Sequence, residues 1–281
     1  MKENIELNKT REFGDVISDT FVIIRQNFKP LFKAYIVICG LFVLTATLIT
    51  ILANSQAAEE GSFSFFSFWG IVKFLFEQVN YAALTLTAIS YLAVYQQKGN
   101  QQVTVIEVWE YFKYYFFRVL GTQMLLSVVL VIAFFFCFFP FVYLAPVLGL
   151  VVPIMVIENG NTEYAVRKSF GIIKDNWWFT FGVILLMGIL VGVAAMALFI
   201  PAMIFYGGSQ WLTGANYGSA FFLIESIIEH VCQFLWLIPV IAITLVYFSL
   251  TEHKEANSLV SRIKAFGKND SPADQFPTEQ Y

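Results

Sequence analysis

Long apolar runs alternate with short polar stretches along the chain, at 33–53, 67–95, 119–139, 141–157, 179–206 and 221–250. A helix needs about 20 apolar residues to cross a hydrocarbon core of ~30 Å, a length that every run but 141–157 supplies. The run from Val119 to Ile157 has no polar divider but is interrupted by Pro140, Pro146 and Pro153. At ~1.5 Å per residue it would be about 58 Å long, two crossings joined by a turn at Phe139–Pro140. The pattern predicts an all-α, polytopic membrane helix bundle of about six transmembrane helices.

A second rhythm precedes some of the runs. Phe13, Val16, Ile17, Thr20, Phe21, Ile24 and Phe28 keep the i, i+3, i+4 spacing of one helix face, with Asp15, Ser18, Asp19 and Arg25 off it. The octet Phe21-Val22-Ile23-Ile24-Arg25-Gln26-Asn27-Phe28 recurs as Phe170-Gly171-Ile172-Ile173-Lys174-Asp175-Asn176-Trp177. There Val166, Phe170, Ile173 and Trp177 form the stripe, against Arg167, Lys168, Lys174 and Asp175. Val105, Val108, Trp109, Phe112, Tyr115 and Phe116 opposite Glu107, Glu110 and Lys113 repeat the pattern more weakly. Each stripe predicts an amphipathic in-plane helix at the cytoplasmic face, anchored by an aromatic where the chain turns into the bilayer. The alternative is that each merely begins a long bent span. Asn27 and Asn176 are expected to end the in-plane helices in the left-handed conformation that Asn tolerates. The interfacial motif is thus Phe21, Arg25, Asn27 and Phe28, repeated as Phe170, Lys174, Asn176 and Trp177.

Together these patterns predict one membrane domain over 1–256, built of units at 12–95, 104–157 and 161–250, each an in-plane helix plus two spans. All three units share one orientation, unlike the inverted repeats of many secondary transporters. The tail 257–281 opens with a helical pattern, Leu259, Ile263 and Phe266, then turns polar after Gly267, a composition that predicts partial disorder.

Charge orients the bundle. Of 17 basic residues, 16 fall in the N-terminal arm, the tail and the segments 98–118 and 167–174, and only Lys73 falls outside them. The loops at 54–66 and 207–220 carry neither Lys nor Arg. The positive-inside rule therefore predicts a multi-pass protein of the cytoplasmic (inner) membrane with both termini cytoplasmic. The N-terminal region lacks the basic n-region of a cleaved signal peptide and is expected to be retained. Only 13% of the residues are charged, against about 25% in an ordinary soluble domain, which points to lipid as the solvent. With a net charge of −3 and scattered basic residues there is no track for a phosphate backbone, so nucleic acid is not an expected partner. Cys39, Cys137 and Cys232 sit in apolar runs without metal-like spacing and read as buried thiols.

Phe13-Gly14-Asp15-Val16-Ile17-Ser18-Asp19-Thr20-Phe21 with Arg25-Gln26-Asn27-Phe28 resembles the N-terminal signature of a known family. Pro153-Ile154-Met155-Val156-Ile157-Glu158, Ala165-Val166-Arg167-Lys168-Ser169-Phe170 and Asn176-Trp177 resemble its middle one. The family is the bacterial glycerophosphoryl diester phosphodiesterase membrane-domain group, with related multispanning proteins. The resemblance spans roughly 11–250 and rests on loose apolar, basic and aromatic positions, so it implies topology more than chemistry. In some relatives the membrane region is joined to a soluble phosphodiesterase domain. The 31 residues after Leu250 leave no room for one, and that activity is not carried over.

Polar residues inside the apolar runs are the candidates for function. Lys73, Glu77, Asn80, Glu225, Glu229, His230 and Gln233 lie toward the outer ends of the second and sixth runs, with Lys73 and Glu77, and Glu225 and Glu229, four apart on a shared helix face. Either they line a polar cavity open to the outside, or they are solvated outer extensions of long helices. Glu225, Glu229 and His230 without a second His make a nonspecific metal pattern, and neither metal nor cofactor is expected. Gly207, Gly208, Gly214 and Gly218, with Trp211 and Tyr217, read as a flexible outer loop. No P-loop, dinucleotide glycine pattern or Ser/Cys nucleophile with a nearby His is present, so enzymatic chemistry is not expected. The sequence favours a noncatalytic scaffold or accessory subunit of a membrane complex, meeting membrane or cytoplasmic proteins through its in-plane helices. The alternative is a transporter or channel-like conduit for a lipid or small solute.

Overall fold

The computed structural model describes residues 6–60, 67–99, 101–136, 138–213 and 218–266, with the side chains of 57–60, 206–222 and 255–266 excepted. Among the described residues the chain is helical without a strand: α1 Phe13–Glu60, α2 Phe68–Gln97, α3 Val105–Phe136, α4 Phe138–Gly149, α5 Val151–Ile157, α6 Thr162–Ile173, α7 Trp177–Thr213, α8 Gly218–Cys232, a 3₁₀ turn Gln233–Trp236 and α9 Leu237–Phe266.

Local chemistry sets most of these boundaries. The Ser67 hydroxyl accepts from the Gly70 amide at the start of α2. Thr104 and Glu107 form a reciprocal capping box at α3: the Thr104 amide donates to the Glu107 carboxylate at 2.8 Å and the Glu107 amide returns to the Thr104 hydroxyl at 3.4 Å. Asn161 caps α6 by accepting from the Tyr164 amide at 2.8 Å. Gly99, at φ 61, stops α2 in the left-handed region.

Five helical segments are long and apolar enough to cross a membrane: Phe13–Gln56, Val105–Phe136, Phe138–Ile157, Trp177–Phe205 and Leu223–Lys254. The sequence predicts a sixth in α2, which has the length but not the apolarity. The reason is its position. Every residue of α2 from Asn80 to Tyr95 except Tyr81 is buried, as are Val151–Val156 of α5 and Ile241–Leu250 of α9. These three stretches form the axis of the bundle. A helix walled by other helices can carry Thr85, Thr87 and Ser90, and its Ala82, Ala83, Ala88 and Ala93 let neighbouring backbones approach closely. The outer helices show the opposite composition: Leu41, Leu44 and Leu48 of α1, Phe117, Phe135 and Phe136 of α3, and Val193, Met196 and Phe205 of α7 are exposed. Apolar exposure on this scale calls for lipid or a partner against it.

The segments expected to lie in plane meet three different outcomes. The first is joined to its span: α1 kinks at Asn27, whose φ of −110° and ψ of 15° are not helical, and continues. Pro30 has no N–H to give the preceding turn, which helps open the kink. Asn27 does not adopt the expected left-handed conformation. Its side chain instead donates to the Ile23 carbonyl and accepts from the Tyr91 hydroxyl, both at 3.1 Å, so the kink is fixed from α2. The second, α6, is separated from α7 at Lys174–Asn176, but Asn176 serves the following helix, its carbonyl accepting from the Thr180 amide at 3.1 Å. The left-handed Asn is Asn159, at φ 52, between α5 and α6. The third has no break. Val108, Phe112, Tyr115, Val119, Thr122 and Leu126 bury one continuous stripe, so α3 runs through from Val105.

Further along, α3 ends at Phe136 and α4 begins at Phe138, so the turn expected at Phe139–Pro140 falls within α4, and Cys137 lies outside the described residues. Pro140 falls in the first turn of α4, where its missing N–H costs nothing. The outer loop expected at 207–220 is helical at both ends, through Thr213 and from Gly218, while 214–217 lie outside the described residues. The predicted span 221–250 breaks at the 3₁₀ turn, just before Pro239, whose lack of an N–H suits a helix start. The backbone of α9 continues through the expected helical start of the tail to Phe266, and 267–281 lie outside the described residues.

Candidate functional site

The 3₁₀ turn, the C-terminal parts of α1 and α8 and the N-terminal half of α2 bring together six of the seven polar candidates. Glu77 is the hub. Its carboxylate accepts from the Gln233 amide at 2.9 Å and the Thr50 hydroxyl at 3.3 Å, and His230 Nε2 lies 3.2 Å away. His230 Nδ1 faces the Ser226 carbonyl at 2.8 Å. Gln233 also accepts from the Asn80 amide, and Lys73 approaches Glu229 at 3.7 Å. Glu225 makes none of these contacts and lies half-buried on α8. His230 and Thr50 are buried, while Glu77, Lys73 and Glu229 are partly exposed. Four helical elements are thereby joined through one carboxylate, while Asn80 Oδ1 is buried without a hydrogen-bond partner and His230 Nε2 has only the approach to Glu77.

Along the repeat motif, the buried stripe of α1 is Val16, Thr20, Ile23 and Asn27, whereas Phe13, Phe21 and Phe28 are exposed with Arg25. In α6, Ala165, Ser169, Ile172 and Ile173 are buried and Phe170 and Lys174 exposed. The aromatics of the motif thus flank the packed face. Trp177 is the exception: it stacks on Tyr143 and Phe181 and donates to the Tyr143 carbonyl at 3.0 Å.

Two networks at the basic end carry no signal in helical periodicity. The Arg11 side chain, fully buried, donates to Asp19 at 2.9 Å and to the carbonyls of Glu6, Leu7 and Lys9, while its backbone amide donates to the Ser249 hydroxyl of α9 at 2.8 Å. The second network centres on Glu158. It accepts from Lys168 and Tyr164, each at 2.6 Å, and from Tyr247 of α9. These contacts link α5, α6 and α9, and a count of basic residues registers Arg11 and Lys168 only as charges.

Burial alone would raise the Glu158 carboxyl, but hydrogen bonds from Lys168, Tyr164 and Tyr247 outweigh it and hold the group below its usual range. Burial would likewise lower Lys168, and Glu158 and Tyr164 raise it on balance. A lowered carboxyl contributes stability that is complete above its ordinary pKa and is lost as pH falls through the lowered value. A raised ammonium contributes stability that is complete below its ordinary pKa and is lost as pH climbs through the raised one. The link is therefore intact across neutral pH. We expect Glu158→Gln to lower the thermal midpoint at pH 7 and to flatten its decline in acid, measured as midpoint against pH in detergent.

A chamber of about 340 Å³ lies among α2, α3, α4, α5, α7, the 3₁₀ turn and α9, with Tyr81, Gln123, Gly149, Ile184, Trp236 and Ile243 in its wall. Its wall contains no charged residue. The sequence reading missed it because its lining comes from separate helices.

Cys39 and Cys232 are buried free thiols, Cys39 lying 3.3 Å from the Thr87 hydroxyl. Among the described residues no group of three or more His, Cys, Asp or Glu is placed to hold a metal ion. Fold and site together define an all-helical bundle with five membrane-capable helices and an internal polar knot. Comparison with known protein families, with curated proteins and with solved structures returns no match for this chain.

Proposed function

We propose that this is a noncatalytic subunit or scaffold of a cytoplasmic-membrane complex, with both termini cytoplasmic and six crossings when α2 is counted. The Glu77 knot carries the reading: a carboxylate engaged by groups from α1, α8 and the 3₁₀ turn fastens helices rather than lining an open path. The exposed apolar flanks of α1, α3 and α7 supply faces for lipid and for membrane partners. The exposed Phe13, Phe21 and Phe28 beside Arg25 suit a cytoplasmic interface. Affinity purification at native expression in mild detergent is expected to recover defined membrane or cytoplasmic proteins at constant ratio. Repeated recovery of the chain alone would contradict the proposal.

The partial exposure of Lys73, Glu77 and Glu229 favours the second reading, a conduit for a lipid or small solute. Its signature is liposome flux that is lost in folded Glu77→Gln and Glu229→Gln variants.

A further inference from the structure

We propose that this half-open chamber is a binding site for one neutral long-chain lipid carrying a free hydroxyl. The lining descends one face of α2 through Gln78, Tyr81, Thr85 and Ile89, a length of roughly 16 Å at ~1.5 Å per residue. The chamber is therefore elongated, the shape of a hydrocarbon chain. Its volume of about 340 Å³ lies within the ~300–1,000 Å³ of small-molecule sites. Its wall is mainly apolar with Gln78, Thr85, Gln123 and Ser127 among its polar members, the lining expected of a small-molecule site.

Two buried polar atoms of its wall have no hydrogen-bond partner, Thr85 Oγ1 and Gln123 Oε1, and of these the amide oxygen, which can only accept, sets the occupant's chemistry. Gln123 is 91% buried, and its Oε1 has no hydrogen-bond partner. An unmade acceptor in such surroundings favours a ligand that brings a donor. Because no Lys, Arg, Asp or Glu faces the chamber, an ionised headgroup would be left without a counter-charge, so the donor belongs to an uncharged group such as an alcohol. Tyr81 and Trp236, both in the wall and both exposed, meet edge to face at 6.4 Å and form a side through which a chain could enter from the bilayer. The assignment does not depend on whether the protein has partners.

The test is native mass spectrometry of the full chain in mild detergent, titrated with oleyl alcohol and, separately, with oleyl methyl ether, which has the same chain but no donor. The wild type should bind one oleyl alcohol, roughly tenfold more tightly than the ether, the worth of one buried hydrogen bond. Gln123→Leu should bind both probes equally, and Ala145→Phe, which fills the chamber, should bind neither. Equal binding of alcohol and ether by the wild type would overturn the hydroxyl assignment. Binding by wild type no greater than by Ala145→Phe would overturn the site. Should Ala145→Phe fail to fold, photo-crosslinking of wild type with a diazirine-bearing oleyl alcohol decides: labelling at Leu130 or Ile243 supports the chamber, and labelling confined to exposed α1 and α7 residues refutes it.

Discussion

Glu77→Ala is expected to lower the unfolding free energy by about 2–4 kcal/mol, the largest loss of any single polar substitution in its cluster. The substitution strands three groups at once. The Gln233 amide and the Thr50 hydroxyl lose their acceptor, and His230 loses the carboxylate beside Nε2. A buried group left unpaired costs about 1–3 kcal/mol, and the sum is discounted because the 23% exposed carboxylate site admits water to part of the void. Glu77→Gln keeps the shape but has a single carbonyl oxygen, which can accept from Thr50 or from Gln233 and not from both, so it should cost less than Glu77→Ala without being neutral. Denaturant titration in mixed micelles measures both. A loss below about 0.5 kcal/mol for Glu77→Ala, the size of an ordinary surface change, would show that the knot fastens nothing.

Arg11→Ala should release the N-terminal arm. Its guanidinium is the fully buried member of the pair with Asp19, and it also gathers the carbonyls of Glu6, Leu7 and Lys9. Breaking a buried pair from one side costs about 3–5 kcal/mol when the remaining charge has no other partner. Here Asp19 keeps Lys9 at 2.9 Å, so about 2–3 kcal/mol is expected. Arg11→Lys should restore only part of that, because an ammonium cannot present the guanidinium's planar fork of donors. Hydrogen exchange over 7–20 and at the Ser249 end of α9 reads the release directly. Unchanged exchange in Arg11→Ala would mean that the arm is held by Leu7 and Val16 packing alone.

What the sequence could convey depended on whether the signal was periodic. The helical class and five of the apolar segments follow from long hydrophobic runs, which leave a periodic trace. The sequence marked Lys73, Glu77, Asn80, Glu225, Glu229, His230 and Gln233 at the ends of two runs, as a cavity lining or as solvated extensions, and the structure joins all but Glu225 by contacts. That reasoning could not determine whether the group was open or closed, because the 3₁₀ turn that aims Gln233 at Glu77 leaves only Pro239 as a clue. Asn27 shows a different failure. A helix-ending Asn was read from the local motif, but its conformation is set by Tyr91, which is 64 residues away. The Arg11–Ser249 contact spans 238 residues and has no counterpart in any local pattern.

The polarity of α2 bears on how the protein is made. A translocation channel releases a helix into lipid according to its own hydrophobicity, and α2, with Asn80, Thr85, Thr87 and Ser90 in its buried half, is poorly suited to partition by itself. It should enter only once α1 and α3 are present to shield it, so that integration and folding become one event for the first three helices. In a glycosylation-site insertion assay, α2 presented alone should fail to integrate and α1–α3 presented together should succeed. Efficient insertion of α2 in isolation would uncouple the two.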